Sequence, residues 1–436
     1  MPPPVWPAAP DPRASSAALE LNPYAAPGTN PWAAPPPTRK WRRRTVAIVW
    51  VAVVLLVVVP TAVVTTWLRD RTQQHDQQMA AVTSVVEGHL PQLEAFVAQS
   101  TGRPWRTPVR ARILDDADFV AALRDVGGGV PVQPKSDDDD MGVTMTAMGL
   151  VEDPDTFWGS SDESIDSNVV GVYDAANRTL LVRGSTYSPE VEITLVHELV
   201  HANQDQAFDL RKLWAATTTV DESSLALQSL SEGEATVVEQ DYYDAQPADW
   251  QKQVDDADGG AVASRVPVVD AMGAFPYRVG AAFVRSLRDV GGAAAVTKAW
   301  GSPPRWSRDL VNPKRWMAGS LPTVTLPPKP ASPSGDPADT ADIGVLGVGG
   351  LWLAVEGAHE HPALKAIHAL DGWTGDSYVA TENADATRWC FVDDVTFTDA
   401  AARQTAFAFL KPWLVHTQTR ATDRGPSGLH LAGCTG

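Results

Sequence analysis

A run of 23 residues without a charged side chain, Val46 to Leu68, constrains the fold of this chain most strongly. As an α-helix at about 1.5 Å per residue, it would be about 35 Å long, enough to cross the hydrocarbon core of a bilayer. Pro60 is tolerated in such a helix, because neighbouring groups can satisfy the backbone carbonyl that it leaves free. The run therefore predicts one transmembrane helix within residues 45–69, followed by the bulk of the chain.

The basic segment just before this run sets the predicted orientation. Residues 39–44 carry five lysines and arginines, and such clusters stay on the cytoplasmic side. More than forty residues precede the apolar run and no Ala-x-Ala cleavage site follows it, which disfavours a cleaved signal peptide. We therefore expect a single-pass protein of the cell membrane, with a cytoplasmic N-terminus and an extracellular C-terminal part.

The first 44 residues are predicted to be a disordered, Pro-rich cytoplasmic tail. Residues 1–38 contain twelve prolines separated mainly by small and polar residues, a composition that cannot bury a core. A cytoplasmic partner of this tail is one hypothesis. If that role dominated, the protein would be a scaffold.

Charge and cysteine content narrow the function classes. The net charge of −18 argues against nucleic acid as the main partner, because the protein and the nucleic acid would both be negatively charged. Cys390 and Cys434 are the only cysteines, too few for a disulfide-rich scaffold. The sequence leaves open whether they form a bridge in an oxidising compartment or remain two free thiols.

The pattern beyond the anchor predicts a predominantly helical α+β fold. Residues 70–140 are expected to form a juxtamembrane helical stalk or subdomain, residues 141–416 one large domain, and residues 417–436 a C-terminal tail. Two strands joined by a turn at residues 174–177 predict a small sheet beside a long helix that begins near Ser188. The other expected strand is 109–114, and further helices are expected near 118–126, 222–243, 277–290, 293–299 and 340–355. Asp137–Asp140 is predicted to be a solvated turn rather than a calcium loop, and Pro322–Pro337 a surface loop.

The long helix carries His197-Glu198-Leu199-Val200-His201, which is the most specific motif in the chain. Residues four positions apart share one helix face, so both imidazoles can bind one metal ion. In zinc hydrolases of this His-Glu-x-x-His type, the glutamate is the general base that activates a metal-bound water. The motif therefore predicts zinc ligands His197 and His201 and the catalytic base Glu198.

A catalytic zinc site needs a third protein ligand, and the sequence offers Glu232. No His-x-x-Gly-x-x-His continuation follows His201, which excludes the metzincin pattern. Glu232 lies in Ser231-Glu232-Gly233-Glu234-Ala235, within a second predicted helix that can run beside the first. Glu234 is the rival ligand, although two helix positions further on it faces another way. It could instead orient a ligand or lie on the surface.

These motifs together resemble the gluzincins, the clan that includes thermolysin and the zinc aminopeptidases. The segment Pro276-Tyr277-Arg278-Val279-Gly280 is similar to the Pro-Tyr-x-Lys-Gly helix of the aminopeptidases, with Val279 in place of the lysine. The resemblance implies a gluzincin-like fold, zinc as cofactor, and Tyr277 as the hydroxyl that stabilises the tetrahedral oxyanion.

A narrower resemblance, over about residues 145–415, is to a group of poorly characterised bacterial peptidases of the same clan. Asn312-Pro313 departs from the His-Pro expected there, which leaves the role of Asn312 open. The segments that carry this resemblance are Gly171–Asp174, His197–Gln206, Glu232–Ala235, Pro303-Pro304 and Gly372-Trp373-Thr374-Gly375-Asp376.

The expected activity is hydrolysis of peptide bonds in a peptide or protein substrate. The Gly-x-Met-Glu-Asn segment with which aminopeptidases hold a free amine is not found in the sequence, so the pattern favours an endopeptidase. The alternative is a catalytically inactive binding protein of the gluzincin fold at the cell surface. The intact Glu198 and Tyr277 argue against that alternative, because a decayed site loses its base first.

Overall fold

The computed structural model describes residues 59–126, 141–218, 220–258, 264–333, 335, 340–360 and 362–436. The predicted tail, most of the predicted anchor and the run Asp137–Asp140 lie outside these residues. The chain divides into two compact units, residues 1–72 and residues 73–436. Of the helices that the structure describes, none combines the length and the apolar character needed to cross a membrane.

The described residues are predominantly helical, as the sequence predicts. The helices predicted near 118–126 and 222–243 lie within two residues of those positions, whereas the helices at 154–168, 248–258 and 400–416 were not predicted. The second unit contains nearly all of the helices. The thirteen α-helices among the described residues are α1 Val59–Thr101, α2 Asp116–Asp125, α3 Met141–Ala147, α4 Pro154–Asn168, α5 Pro189–Phe208, α6 Leu210–Trp214, α7 Ser223–Asp244, α8 Ala248–Asp258, α9 Pro267–Gly301, α10 Ser307–Val311, α11 Pro313–Met317, α12 Gly347–Val355 and α13 Ala400–His416.

A first sheet of three strands lies beside α5 in the order β1-β3-β2, with β2 at an edge. The strands are β1 Arg110–Leu114, β2 Gly171–Asp174 and β3 Thr179–Arg183. β2 and β3 form the predicted antiparallel hairpin, and β1 pairs with β3 in parallel. Asp174 stabilises the turn, because its Oδ1 accepts hydrogen bonds from the backbone N–H groups of Ala176 and Asn177.

A second, five-stranded sheet corrects two of the sequence predictions. Residues 340–355 are not one helix, because β4 occupies Thr340–Gly344 and only then does α12 begin. Residues 417–436, predicted as a tail, form two strands of this sheet. Its order is β4-β5-β6-β8-β7, with β5 Trp373–Glu382, β6 Trp389–Phe397, β7 Arg420–Asp423 and β8 Gly428–Thr435.

The two cysteines form a disulfide between neighbouring strands of the second sheet. Cys390 on β6 lies directly opposite Cys434 on β8, and their Cα atoms are 4.0 Å apart. The sequence left this pairing open. It depends on the β6–β8 register, which a 44-residue separation in sequence does not reveal.

Helices α7 and α9 pack with their backbones in close contact where Gly233 meets Gly280. A Cβ atom built on Gly280 would overlap the carbonyl oxygen of Ser229, and one on Gly233 would overlap the backbone of Gly280. This crossing places the glutamates of α7 between α5 and α9. α9 is interrupted at Gly291 and Gly292, whose dihedral angles are not helical, which explains why the sequence predicts two helices there.

Candidate metal centre

Helix α5 carries the His-Glu-x-x-His motif and begins with the predicted cap. The Ser188 hydroxyl accepts a hydrogen bond from the Val191 N–H, and Pro189 occupies the first turn. His197 and His201 lie one helical turn apart, with their ring centroids separated by 4.9 Å. The local sequence therefore directs both imidazoles toward the same side of α5.

Glu232 reaches this pair from α7, as the sequence predicts. Its Oε2 lies 3.2 Å from His197 Nε2 and 3.4 Å from His201 Nε2. The three donor atoms lie within 4.8 Å of one another. Donors bound to a metal ion at about 2.0–2.1 Å in a tetrahedron are roughly 3.3–3.4 Å apart, so these two N···O distances are compatible with one metal ion shared by the three side chains.

The ionisation of the three groups reflects their mutual contact inside the protein. Burial lowers the pKa of His197, but hydrogen bonds and charges from Glu232 and Glu239 outweigh it and hold that pKa well above its usual value. His201 shows the same balance, with Glu232 raising its pKa against burial. Burial raises the pKa of Glu232, yet the two histidines bring it well below its usual range. A metal ion bound here would have to displace any proton that the imidazole Nε2 atoms carry.

Glu198 lies in the same buried region, between α5 and the edge strand β2. Gly171 of β2 packs closely against this face of α5, where a Cβ would lie 2.5 Å from Cγ2 of Thr194 and 3.1 Å from Cγ of Glu198. Burial raises the pKa of the Glu198 carboxyl, and the charges of His201 and His197 oppose that rise. A carboxyl held in this way suits a group that accepts and later returns a proton.

Tyr277 approaches the centre from α9. Its ring centroid lies 6.1 Å from that of His197. The charge of Glu232 holds the pKa of the Tyr277 hydroxyl well above its usual value, with burial and Glu198 acting in the same direction. The hydroxyl therefore remains protonated and is a hydrogen-bond donor near the predicted ligands.

Glu239 also belongs to the centre, although the sequence analysis did not identify it. Its Oε2 lies 2.7 Å from Nδ1 of His197, the ring nitrogen that does not face Glu232. Glu239 follows Glu232 by two helical turns and so lies on the same face of α7. This seven-residue spacing from Glu232 is the sequence feature that could have indicated Glu239. A carboxylate in this position fixes the orientation and tautomer of a metal-binding imidazole.

Glu234 points away from the metal centre and holds side chains that pack next to it. Its carboxylate accepts hydrogen bonds from Arg103, Trp300 and Gln204 at 2.8, 2.8 and 3.2 Å. Gln204 Oε1 lies 3.1 Å from His201 Nδ1. Glu234 is therefore a buried residue that orients Gln204, neither a surface side chain nor part of the donor set.

Asn312 lies apart from these residues, at the junction of α10 and α11. Its amide donates to the Arg308 carbonyl and, at 3.0 Å, to Asp371 Oδ1. A second group of donor side chains, His75, Asp115 and Asp118, lies near α1 and β1. Asp118 is exposed there, in contrast to the buried Glu232.

No protein-family model, curated protein or solved structure matches this chain. The arrangement of the side chains is therefore the basis for the function proposed below.

Proposed function

We propose that this chain is a membrane-anchored zinc peptidase of the gluzincin type, most simply an endopeptidase, that hydrolyses peptide bonds with a metal-activated water. One observation carries the proposal. His197 and Glu232 are 35 positions apart in sequence, yet their donor atoms meet at 3.2 Å, with His201 completing the set. Two imidazoles and one carboxylate, with a fourth position left for water, are the ligands of catalytic zinc in this class.

The roles of the side chains follow from their positions. His197, His201 and Glu232 would hold the zinc, which when bound polarises a substrate carbonyl and lowers the pKa of water. Glu198 accepts the proton of the attacking water and delivers it to the leaving amine. Tyr277 donates a hydrogen bond to the oxygen that develops negative charge. Glu239 and Gln204 keep the two imidazoles in place.

The proposed location is the cell membrane, with the tail in the cytoplasm and the zinc centre outside. The uncharged run Val46–Leu68 and its basic flank support the anchor and its orientation. The second sheet contains the Cys390–Cys434 disulfide, which supports the placement of this part of the chain in an oxidising compartment. The proposed partners are a peptide or protein substrate and the bilayer. We propose no nucleic-acid partner, because the net charge of the chain is −18, and the Pro-rich tail remains a candidate for a cytoplasmic partner.

The test is metal content and hydrolysis in the purified full-length chain, with fluorescein-labelled casein and a quenched peptide library as probes. We expect Glu198→Gln to keep stoichiometric zinc and to lower kcat by about 10²-fold or more, because the general base is lost. Glu232→Ala should lose the zinc. Asp118→Asn, in the other donor group, is the control and should keep both zinc and activity.

Two results would contradict the proposal. Full activity in Glu198→Gln would show that Glu198 is not the general base. Zinc with no turnover of either probe by the unmodified chain would favour the alternative, a catalytically inactive binding protein of this fold.

A further inference from the structure

A cleft lies on the side of α9 that faces away from Tyr277. Ala282 and Ser286 line it, five and nine residues after Tyr277. At about 100° per residue these positions are about 140° and 180° around the helix from Tyr277. The cleft is therefore a site separate from the zinc centre, and its volume is about 480 Å³. That volume falls in the range of small-molecule sites.

The floor of this cleft is apolar. Buried side chains from three elements meet there, namely Val279 of α9, Leu310 of α10 and Ile367 of the 3₁₀-helix Leu364–Leu370. Val311 and Leu364 extend the same surface. An occupant must therefore offer an apolar body to this floor.

The rim of the cleft is cationic, against the trend of the molecule. Lys314, Arg315 and Lys365 line it and are exposed. None of the ion pairs between described residues includes any of the three. Among the described lining residues none is acidic, although the whole chain has 53 acidic residues against 35 lysines and arginines.

The acidic residue Asp371 contacts two residues of the lining. Asp371 accepts from Asn312 at 3.0 Å and lies 3.1 Å from Nδ1 of His368, two residues that also line the cleft. Asp371 is therefore engaged with Asn312 and His368 rather than with the three rim cations.

We propose that this cleft binds a small carboxylate with an apolar body, the carboxylate between Lys314, Arg315 and Lys365 and the body on the floor around Val279. Charge complementarity places the carboxylate at the rim, because an exposed carboxylate is stabilised most where several cations lie without acidic neighbours. The floor contributes through the apolar area that the ligand removes from water. This inference does not depend on the zinc centre or on peptidase activity.

The test uses the full chain in nanodiscs of zwitterionic lipid, with 4-phenylbutyrate as the probe. The neutral 4-phenylbutanamide has the same body without the charge, and phenylbutyl phosphate distinguishes a phosphate head from a carboxylate. Affinity is measured by calorimetry or by saturation-transfer NMR. We expect 4-phenylbutyrate to bind at least tenfold more tightly than the amide and more tightly than the phosphate. We expect the same in His197→Ala.

Two variants locate the binding. Lys314→Gln combined with Arg315→Gln and Lys365→Gln should weaken binding of 4-phenylbutyrate at least tenfold and remove its preference over the amide. Ala282→Phe should weaken both ligands by filling the cleft. The matched control is Lys298→Gln with Lys411→Gln and Arg420→Gln, exposed cations outside the cleft with the same total change in charge.

The proposal is overturned if the carboxylate binds no more tightly than the amide, or if the phosphate is preferred. It is also overturned if the triple rim variant binds like the unmodified chain, or if the control variant weakens binding equally, since the effect would then be one of net charge.

Discussion

The imidazole of His197 has a carboxylate on each of its two ring nitrogens. Nε2 faces Glu232 at 3.2 Å, and Nδ1 faces Glu239 at 2.7 Å. A metal-binding nitrogen must be free of its proton, so the proton of the neutral ring has to remain on Nδ1. Glu239 accepts a hydrogen bond from that position and thereby selects the tautomer that presents Nε2 to a metal.

Replacing Glu239 tests whether its carboxylate orients His197. We expect Glu239→Ala to weaken zinc binding by about 10–100-fold, because His197 loses the partner that orients it. Zinc affinity can be measured by competition with a chromogenic chelator. Asp244→Ala, which removes an exposed carboxylate from the same helix, should leave the affinity unchanged. Equal affinities for the Glu239→Ala variant and the unmodified chain would show that His197 is oriented by other contacts.

At the scale of secondary structure, the crossing of α7 and α9 decides where Glu232 and Tyr277 lie. Gly233 is the residue after Glu232, and Gly280 follows Tyr277 by three positions. Because neither has a Cβ, the two helices approach until their backbones touch. The glycines therefore set the distance between the predicted zinc ligand on one helix and the predicted oxyanion donor on the other.

A methyl group at this crossing should separate the helices. We expect Gly280→Ala to lower the free energy of unfolding by about 1–3 kcal/mol, through overpacking against Ser229, and also to weaken zinc binding. The control is Gly273→Ala in the same helix, where a Cβ meets no atom within 4 Å. That change should stabilise the fold by about 0.4–1 kcal/mol, because alanine has less freedom in the unfolded chain. Thermal denaturation compares the two, and a stability loss of equal size in both would contradict the crossing argument.

Across the second unit as a whole, Glu222 joins α7, the helix that carries Glu232, to the elements that pack on the second sheet. It immediately precedes α7, and its carboxylate accepts from the backbone of Ser307 at 3.1 Å, from the Ser307 hydroxyl and from the Gly349 N–H at 3.2 Å. It therefore connects α7 to α10 and α12. Burial raises the pKa of Glu222 to about 8, against the opposing effect of these hydrogen bonds.

This raised pKa predicts a pH-dependent stability. The folded state holds the proton of Glu222 more tightly than the unfolded state, whose pKa is near 4.5, so the contribution is fully present below that pH. It is lost as the pH rises through about 8. We expect the Tm of the unmodified chain to fall more between pH 5 and pH 9 than the Tm of Glu222→Gln, which cannot titrate there. Parallel pH profiles for the two proteins would contradict the prediction.

Sequence patterns predicted the parts of this fold that depend on neighbouring residues. The cap at Ser188, the hairpin turn at Asp174 and the helix of the zinc motif all depend on short-range geometry. The prediction failed at β4 and at the last two strands. β4 pairs with β5, β8 pairs with β6, and β7 pairs with β8. Periodicity in one segment cannot identify such partners.

The sequence by itself determined that His197, Glu198 and His201 belong to one helix, because a four-residue spacing is a property of the helix and of nothing outside it. The need of a catalytic zinc site for a third protein ligand also made Glu232 a candidate in the sequence. Only the tertiary structure decided that Glu232 rather than Glu234 meets the histidines, that Glu239 joins them, and that three cations surround a separate cleft. Each of these outcomes depends on how one helix is rotated against another, and that rotation is set by packing between distant residues such as Gly233 and Gly280.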